Sequence, residues 1–167
     1  SGCPDATAEN PTVARGWQCA LTVPRELSMR DGKLCQQPAH EIERMRGDCV
    51  RTTGGETVEE PGRLFDLVVS CEGAKMVELE IRKGVFVRYA DGMLTLDMGD
   101  EGYGRDQRSI ELGELRDLRV LSDTTMVEIF ANGGEAALTS RTYSSAVPAM
   151  ALHAEGAASM DFYRLAH

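Results

Sequence analysis

The sequence offers 27 acidic side chains, and paired carboxylates are the machinery that cleaves glycosidic bonds. Such a pair faces across a cleft at roughly 5–5.5 Å or 6.5–9.5 Å, one carboxyl as acid and the other as nucleophile or base. None of these acids carries a motif that marks it for this work. Asp97, Asp100, Glu101 and Asp106 crowd one stretch with Gly99, Gly102 and Gly104, an oxygen-rich composition that suits calcium. Their spacing departs from the Asp-x-Asp-x-Asp-Gly pattern with a distal Glu, so a solvated hairpin loop is expected there. Gly102-x-Gly104 alone is a poor nucleotide signal without a strand–turn–helix around it. Nucleophilic hydrolysis needs a Ser or Cys beside a His. There is no Gly-x-Ser-x-Gly, and His40, His153 and His167 fall on a short helix, a strand and the last residue. No catalytic residue, cofactor site or metal ligand is assigned.

Arg25-Glu26, directly after Pro24, is the most suggestive charged pair. Neighbours in a strand face opposite ways, so each of the two needs its own partner. A buried Arg or Glu is costly unless paired, so these residues either anchor an interface or stand in water. Cys3, Cys19, Cys35, Cys49 and Cys71, spaced by 14 to 22 residues, fit neither a zinc site nor a Cys-x-x-Cys pair. They read as small hydrophobes in a reducing compartment rather than as a disulfide framework. A net charge of −9 argues against nucleic acid, whose phosphates call for a basic face. No apolar run approaches the roughly 20 residues that cross a bilayer, so no membrane partner is expected.

The elements that would position these groups have a period of two nearly throughout. Leu118–Tyr143 holds runs rich in β-branched and aromatic residues around Asn132-Gly133-Gly134, and Asn-Gly takes the positive φ angles of a tight hairpin. Val127 and Ile129 point one way, Glu128 and Phe130 the other. Leu118–Leu121 leads in through the turn-forming Ser122-Asp123-Thr124. Asp31-Gly32 and Asp91-Gly92 are further two-residue hairpin signals, between Leu27–Arg30 and Lys33–Gln36, and between Val85–Ala90 and Met93–Met98. Trp17–Val23 reads as a strand that Pro24 closes. Phe65, Leu67, Val69 and Cys71 alternate with Asp66, Val68, Ser70 and Glu72, and Val77, Leu79 and Ile81 with Glu78, Glu80 and Arg82. Ser109–Leu112, Met150–Ala154 and Met160–Leu165 add three more strands. Pro38–Arg46 opens on proline and carries acids early and arginines late, the pattern of one short helix near 39–46. Gly47–Gly62 reads as a polar connector. About a dozen short strands predict an all-β fold, a two-sheet antiparallel β-sandwich of jelly-roll or lectin-like kind, with a lone barrel as the alternative.

Several stretches together resemble the C-terminal sandwich of glycoside hydrolase family 32, the family of invertases, sucrose-6-phosphate hydrolases, levanases and inulinases. They are Gly16-Trp17-Gln18-Cys19-Ala20-Leu21-Thr22-Val23-Pro24-Arg25-Glu26-Leu27, and Asp31-Gly32-Lys33-Leu34-x-Gln36-x-Pro38. Later come Leu118-x-Val120-x-x-Asp123, Val127-Glu128-Ile129-Phe130-x-Asn132-x-Gly134-Glu135 and Leu138-Thr139-Ser140-Arg141. Gly2-Cys3-Pro4-Asp5 and Asn10-Pro11-Thr12 resemble the end of the preceding domain in that family. The resemblance implies residues 1–16 as the end of a propeller domain or a linker arm, and 17–167 as the sandwich. It also implies a retaining β-fructofuranosidase as parent, whose catalytic acids lie in an N-terminal five-bladed β-propeller. The family's Trp-Met-Asn-Asp-Pro-Asn, Arg-Asp-Pro and Glu-Cys motifs do not occur here, so no catalytic residue carries over. The expected partner is that propeller, with Trp17, Pro24, Arg25 and Glu26 at the domain junction. Homo-oligomerisation and sugar binding are the competing expectations, and the unpaired cysteines and acidic charge point to the cytoplasm.

Overall fold

The computed structural model describes residues 10–102, 104 and 106–166. Gly2-Cys3-Pro4-Asp5 and His167 lie outside them. Fourteen strands build two six-stranded antiparallel sheets and one two-stranded ribbon, a sandwich of open sheets rather than a barrel. The ribbon pairs β1 (Arg25–Arg30) with β2 (Lys33–Pro38). The first sheet runs β12 (Ala136–Arg141), β11 (Met126–Ala131), β10 (Asp117–Ser122), β5 (Phe65–Ser70), β14 (Ser159–Leu165), β3 (Arg46–Thr53). The second runs β4 (Thr57–Glu59), β13 (Ala149–Glu155), β6 (Met76–Arg82), β7 (Val85–Ala90), β8 (Met93–Asp97), β9 (Gln107–Glu111).

Alternation decides what each strand buries. Phe65, Leu67 and Val69 of β5, Val120 of β10, Ile129 of β11 and Phe162 of β14 meet Leu79, Ile81, Val87 and Leu96 of the opposite sheet in one core. Each such side chain stabilises by roughly 1.5–3 kcal/mol on leaving water. Phe65 and Phe162 pack with ring centroids 5.4 Å apart in a tilted arrangement. The outer face of the first sheet is covered too. The ribbon and a six-residue 3₁₀ helix, His40–Met45, lie over it, so every residue of β11 is buried, Glu128 and Phe130 included.

Asp31 and Gly32, and again Asp91 and Gly92, take the paired positive φ angles of a two-residue hairpin, near 50° and 75°. At the third signal the outcome is different. Ala131 pairs with Ala136, leaving a four-residue connection in which Asn132, Gly133 and Gly134 all have positive φ. The extra length gives Asn132 room to turn inward, where its amide donates to the Glu114 carbonyl (2.8 Å) and accepts from the Arg116 N–H (2.9 Å).

Two expectations fail. Gly47–Gly62 is not a connector, since it contains most of β3 and all of β4. Both are edge strands that turn few side chains inward, Thr52 and Val58, so they lack the apolar alternation that marks a central strand. Trp17–Val23 belongs to no sheet. Its last N–H, on Val23, goes to the Glu128 carboxylate (2.7 Å) instead of a neighbouring strand. No helix among the described residues is long and apolar enough to cross a membrane.

Candidate functional site

Arg25 is held at the root of the ribbon by β-pairing opposite Pro38, which turns its side chain onto the outer face of the first sheet. Its Nη2 donates to Glu128 Oε2 (2.6 Å) and to Thr139 Oγ1 (2.8 Å), and its Nη1 to Gln36 Oε1 (2.9 Å). The guanidinium stands 5.1 Å above the Phe130 ring centroid, a cation–π contact that helps offset desolvation. Glu128 is 2% exposed, and its second oxygen takes the Val23 N–H. Glu26 points the other way into solvent, where its carboxylate meets His40 Nδ1 at 2.8 Å. The adjacent residues thus find separate partners, as strand geometry demands. Pro24 contributes its carbonyl, which accepts the Ala39 N–H (2.8 Å) and ties the start of the ribbon to its end.

Trp17 is secured from β12. The Arg141 guanidinium lies between the Trp17 and Tyr143 rings, 5.2 Å from each centroid. It also donates to the Gln18 carbonyl and, at 3.3 Å, to Thr12 Oγ1. Beside this stack a cavity of about 430 Å³ is lined by Pro11, Thr12, Arg15, Trp17, Arg63 and Tyr143, among others. At the Val23 end of the same segment a groove of about 230 Å³ is lined by Val23, Ile42, Met45, Leu64, Leu121 and Leu165, among others, and is largely apolar. Trp17 and Val23 therefore border one end of the sandwich, at the β10–β11 turn and the connection into β5, whereas Arg25 lies over Glu128, Phe130 and Thr139. Glu26 stands apart in solvent.

Arg82 fixes that end. Its side chain is fully buried and donates to Ser122 Oγ (3.0 and 2.8 Å) and to the carbonyls of Ser144 (3.2 Å), Arg63 (2.9 Å) and Asp123. Burial, and then the nearby Arg63 charge, pull its pKa down to about 10, so it stays cationic at neutral pH. One guanidinium thus staples β6, the β10–β11 turn, the chain before β5 and the chain after β12.

A second polar node lies under the 3₁₀ helix. Fully buried Asp66 accepts from Arg119 (2.7 and 3.0 Å) and Arg46 (2.7 Å), and Glu43 faces both arginines (3.3 and 3.8 Å). The adjoining cleft of about 260 Å³ is bordered by Gln37, Asp117, Phe130, Gly133 and Gly134 as well. The charges there are already matched, and the network joins helix to sheet.

The side-chain atoms of Glu26, His40 and Glu41 lie within 4.8 Å of one another and are exposed. Glu26 is held below the usual carboxylate range by its hydrogen bond from His40, and His40 is raised chiefly by the same bond, then by Glu41. Asp161 is lowered by Arg51, and Glu135 by Lys33 and then Arg116. A general acid at neutral pH needs its carboxyl raised, and Glu26, Glu135 and Asp161 are displaced the other way. In the acidic loop Asp97 caps the Gly99 N–H (3.1 Å) and pairs with Arg88. His153 is exposed on β13. Cys35 and Cys71 are buried, Cys19 and Cys49 exposed, and all four are free.

Sequence reasoning placed Arg25 and Glu26 in interactions but not Glu128, Thr139, Arg141 or Arg82. The first three fall within segments that carry the family resemblance. Arg82 gives no signal at all, because it simply follows the inward row of β6 across a register shift.

The profile described as "Glycosyl hydrolases family 32 C terminal" matches residues 76–165. The chain is 37% identical to raffinose invertase of Escherichia coli, the match covering 81% of this chain and 32% of that one. It is 30% identical to sucrose-6-phosphate hydrolase of Salmonella typhimurium, with 80% and 28% covered. The chain spans about a third of the length of these curated relatives. Among solved structures, sucrose-6-phosphate hydrolase from Lactobacillus gasseri superimposes with a TM-score of 0.81 at 20% identity, over 95% of this chain and 36% of that one. Exo-inulinase from Aspergillus awamori gives 0.72 at 19% identity, over 90% and 36%. At such identities these likenesses establish the shared fold.

Proposed function

Because the chain belongs to glycoside hydrolase family 32, as its C-terminal domain, we propose that it is the accessory β-sandwich of a retaining β-fructofuranosidase. The parent enzyme hydrolyses sucrose, sucrose 6-phosphate or a fructan. This sandwich packs against the N-terminal catalytic propeller and fixes its geometry without touching the substrate, and residues 1–16 are the end of that propeller or the arm leading from it. Trp17, Pro24, Arg25 and Glu26 form the junction, and the parent works in the cytoplasm. The observation that carries the reading is the family match over 76–165. Among the described residues the Trp17 ring is the most exposed aromatic, and Arg141 occupies one of its faces, which leaves little platform for stacking a sugar.

The test compares the parent enzyme, the parent lacking this domain, and this chain alone. Turnover of sucrose, sucrose 6-phosphate or a fructan is expected from the parent and none from the chain alone. The parent without the sandwich is expected to melt at a lower temperature. Turnover by the chain alone that scaled with protein across independent preparations would overturn the proposal. So would saturable fructan binding by calorimetry together with an unchanged melting temperature in the shortened parent.

A further inference from the structure

Arg15 and Arg63 line the cavity of about 430 Å³ beside Trp17, and among the described residues neither guanidinium has an ion pair or a hydrogen bond. By contrast Arg25, Arg46, Arg51, Arg88, Arg116 and Arg119 all meet carboxylates. Two more cations stand close to the same wall. Arg82 is fully buried and bonds only a hydroxyl and three carbonyls, one of them that of Arg63, so its charge has no counter-ion among the described residues. Arg141 bonds a carbonyl and a hydroxyl, and its Nε is buried with no partner. No acid stands among the described residues that line the cavity. Asp123, beside it in sequence, spends its carboxylate on the Thr124 N–H and hydroxyl and borders the neighbouring apolar groove instead.

We propose that this cavity is a binding site for a phosphate monoester. A phosphate ester carries a charge of about −1.5 to −2 at pH 7 and three strong acceptor oxygens, which matches several converging cations better than a singly charged carboxylate does. Arginine presents its donors as a rigid fork that fits phosphate oxygens in pairs. Arg15 and Arg63 supply such forks with nothing to release first, and Thr125 adds a hydroxyl at the rim. The cavity has more room than a bare anion fills, and the Trp17 and Tyr143 rings give the carbon part of the ester an apolar wall. A net charge of −9 over the whole chain does not oppose this, because a cleft lined by one sign of charge focuses the field locally. The bound ester also places negative charge beside Arg63 and near the uncompensated Arg82, so binding is coupled to the stability of this end of the sandwich.

Calorimetric titration of this chain with glucose 6-phosphate, glucose and inorganic sulfate tests the site. One equivalent of glucose 6-phosphate is expected to bind saturably, with an affinity that falls as salt rises, and glucose is expected not to bind. Arg15→Gln and Arg63→Gln are each expected to weaken binding about tenfold, the worth of one hydrogen bond to a charged group. Neither side chain holds the fold together, so the ligand-free urea midpoint should not fall in either variant. Glucose 6-phosphate should raise the midpoint of the unaltered chain and raise it less in both variants. Absence of saturable binding would overturn the proposal, as would binding that both variants leave intact. Sulfate binding as tightly as glucose 6-phosphate would overturn it too, since the site would then read charge alone. So would an unchanged glucose 6-phosphate isotherm when both substitutions are placed in the parent enzyme, because the preceding domain would then fill the cavity.

Discussion

Three buried or nearly buried charges, Asp66, Arg82 and Glu128, set the character of this domain at the level of single residues. Removing one partner from such a pair leaves a stranded charge, which costs more than the intact pair contributes. Glu128→Gln keeps the shape of the side chain but strands Arg25, and the expected loss is about 3 kcal/mol in urea unfolding of the isolated chain. Replacing both residues with apolar ones of similar volume is expected to recover most of that loss. Exposed pairs act more weakly and through pH. Asp161 and Glu135 have depressed pKa values, so their stabilisation is complete above the unfolded value of about 4 and fades as pH falls through the folded one. His40 is raised, so its contribution is complete below about 6.5 and fades as pH climbs through the folded value. Urea midpoints are therefore expected to drop below about pH 4 and to slope gently downward above about pH 6.5. The upper slope alone should vanish in His40→Gln.

Between elements, the critical approach is that of the ribbon to the connection after β11. A Cβ built on Gly134 would sit 2.1 Å from the Gln36 carbonyl oxygen, and φ there is +89°. Gly134→Ala must therefore push β2 away and adopt a backbone state that side chains resist, worth roughly 1–3 kcal/mol before the clash is counted. The expected outcome is a clear loss of stability together with faster exchange in Leu34–Gln37, while amides of β6 and β7 keep their protection. The turns of the two-residue hairpins were legible because Asp-Gly has few other uses, and the central strands because their inner rows are unbroken. β3 was not, since an outer strand is recruited through its backbone, and Arg51 opposite Asp161 leaves no apolar trace. The Arg25–Glu128 pair spans 103 residues of sequence, and no spacing rule reaches that far. Trp17–Val23 was misread for a different reason: its local preference is for a strand, but among the described residues no sheet edge meets it.

For the molecule as a whole, the ordering of the first sheet matters most. β14, the last strand, is not at an edge but between β5 and β3, with Phe162 against Leu67 on one side and Val50 on the other. A chain ended after Glu155 loses the middle of a sheet and a large share of the core. It is expected to show no cooperative thermal transition and no dispersed amide spectrum. The apolar ribbon residues Leu27, Met29 and Leu34, each more than half exposed, make the isolated domain prone to bind hydrophobic dyes.

The same placement of β14 has a bearing on biosynthesis. A ribosome that has made everything up to Glu155 still holds a nascent product that cannot close, because the slot between β5 and β3 is filled last. A polypeptide broken off before Ser159 would carry an unfilled gap and a solvent-facing interior, which proteases recognise, so completing β14 reports that everything before it was translated.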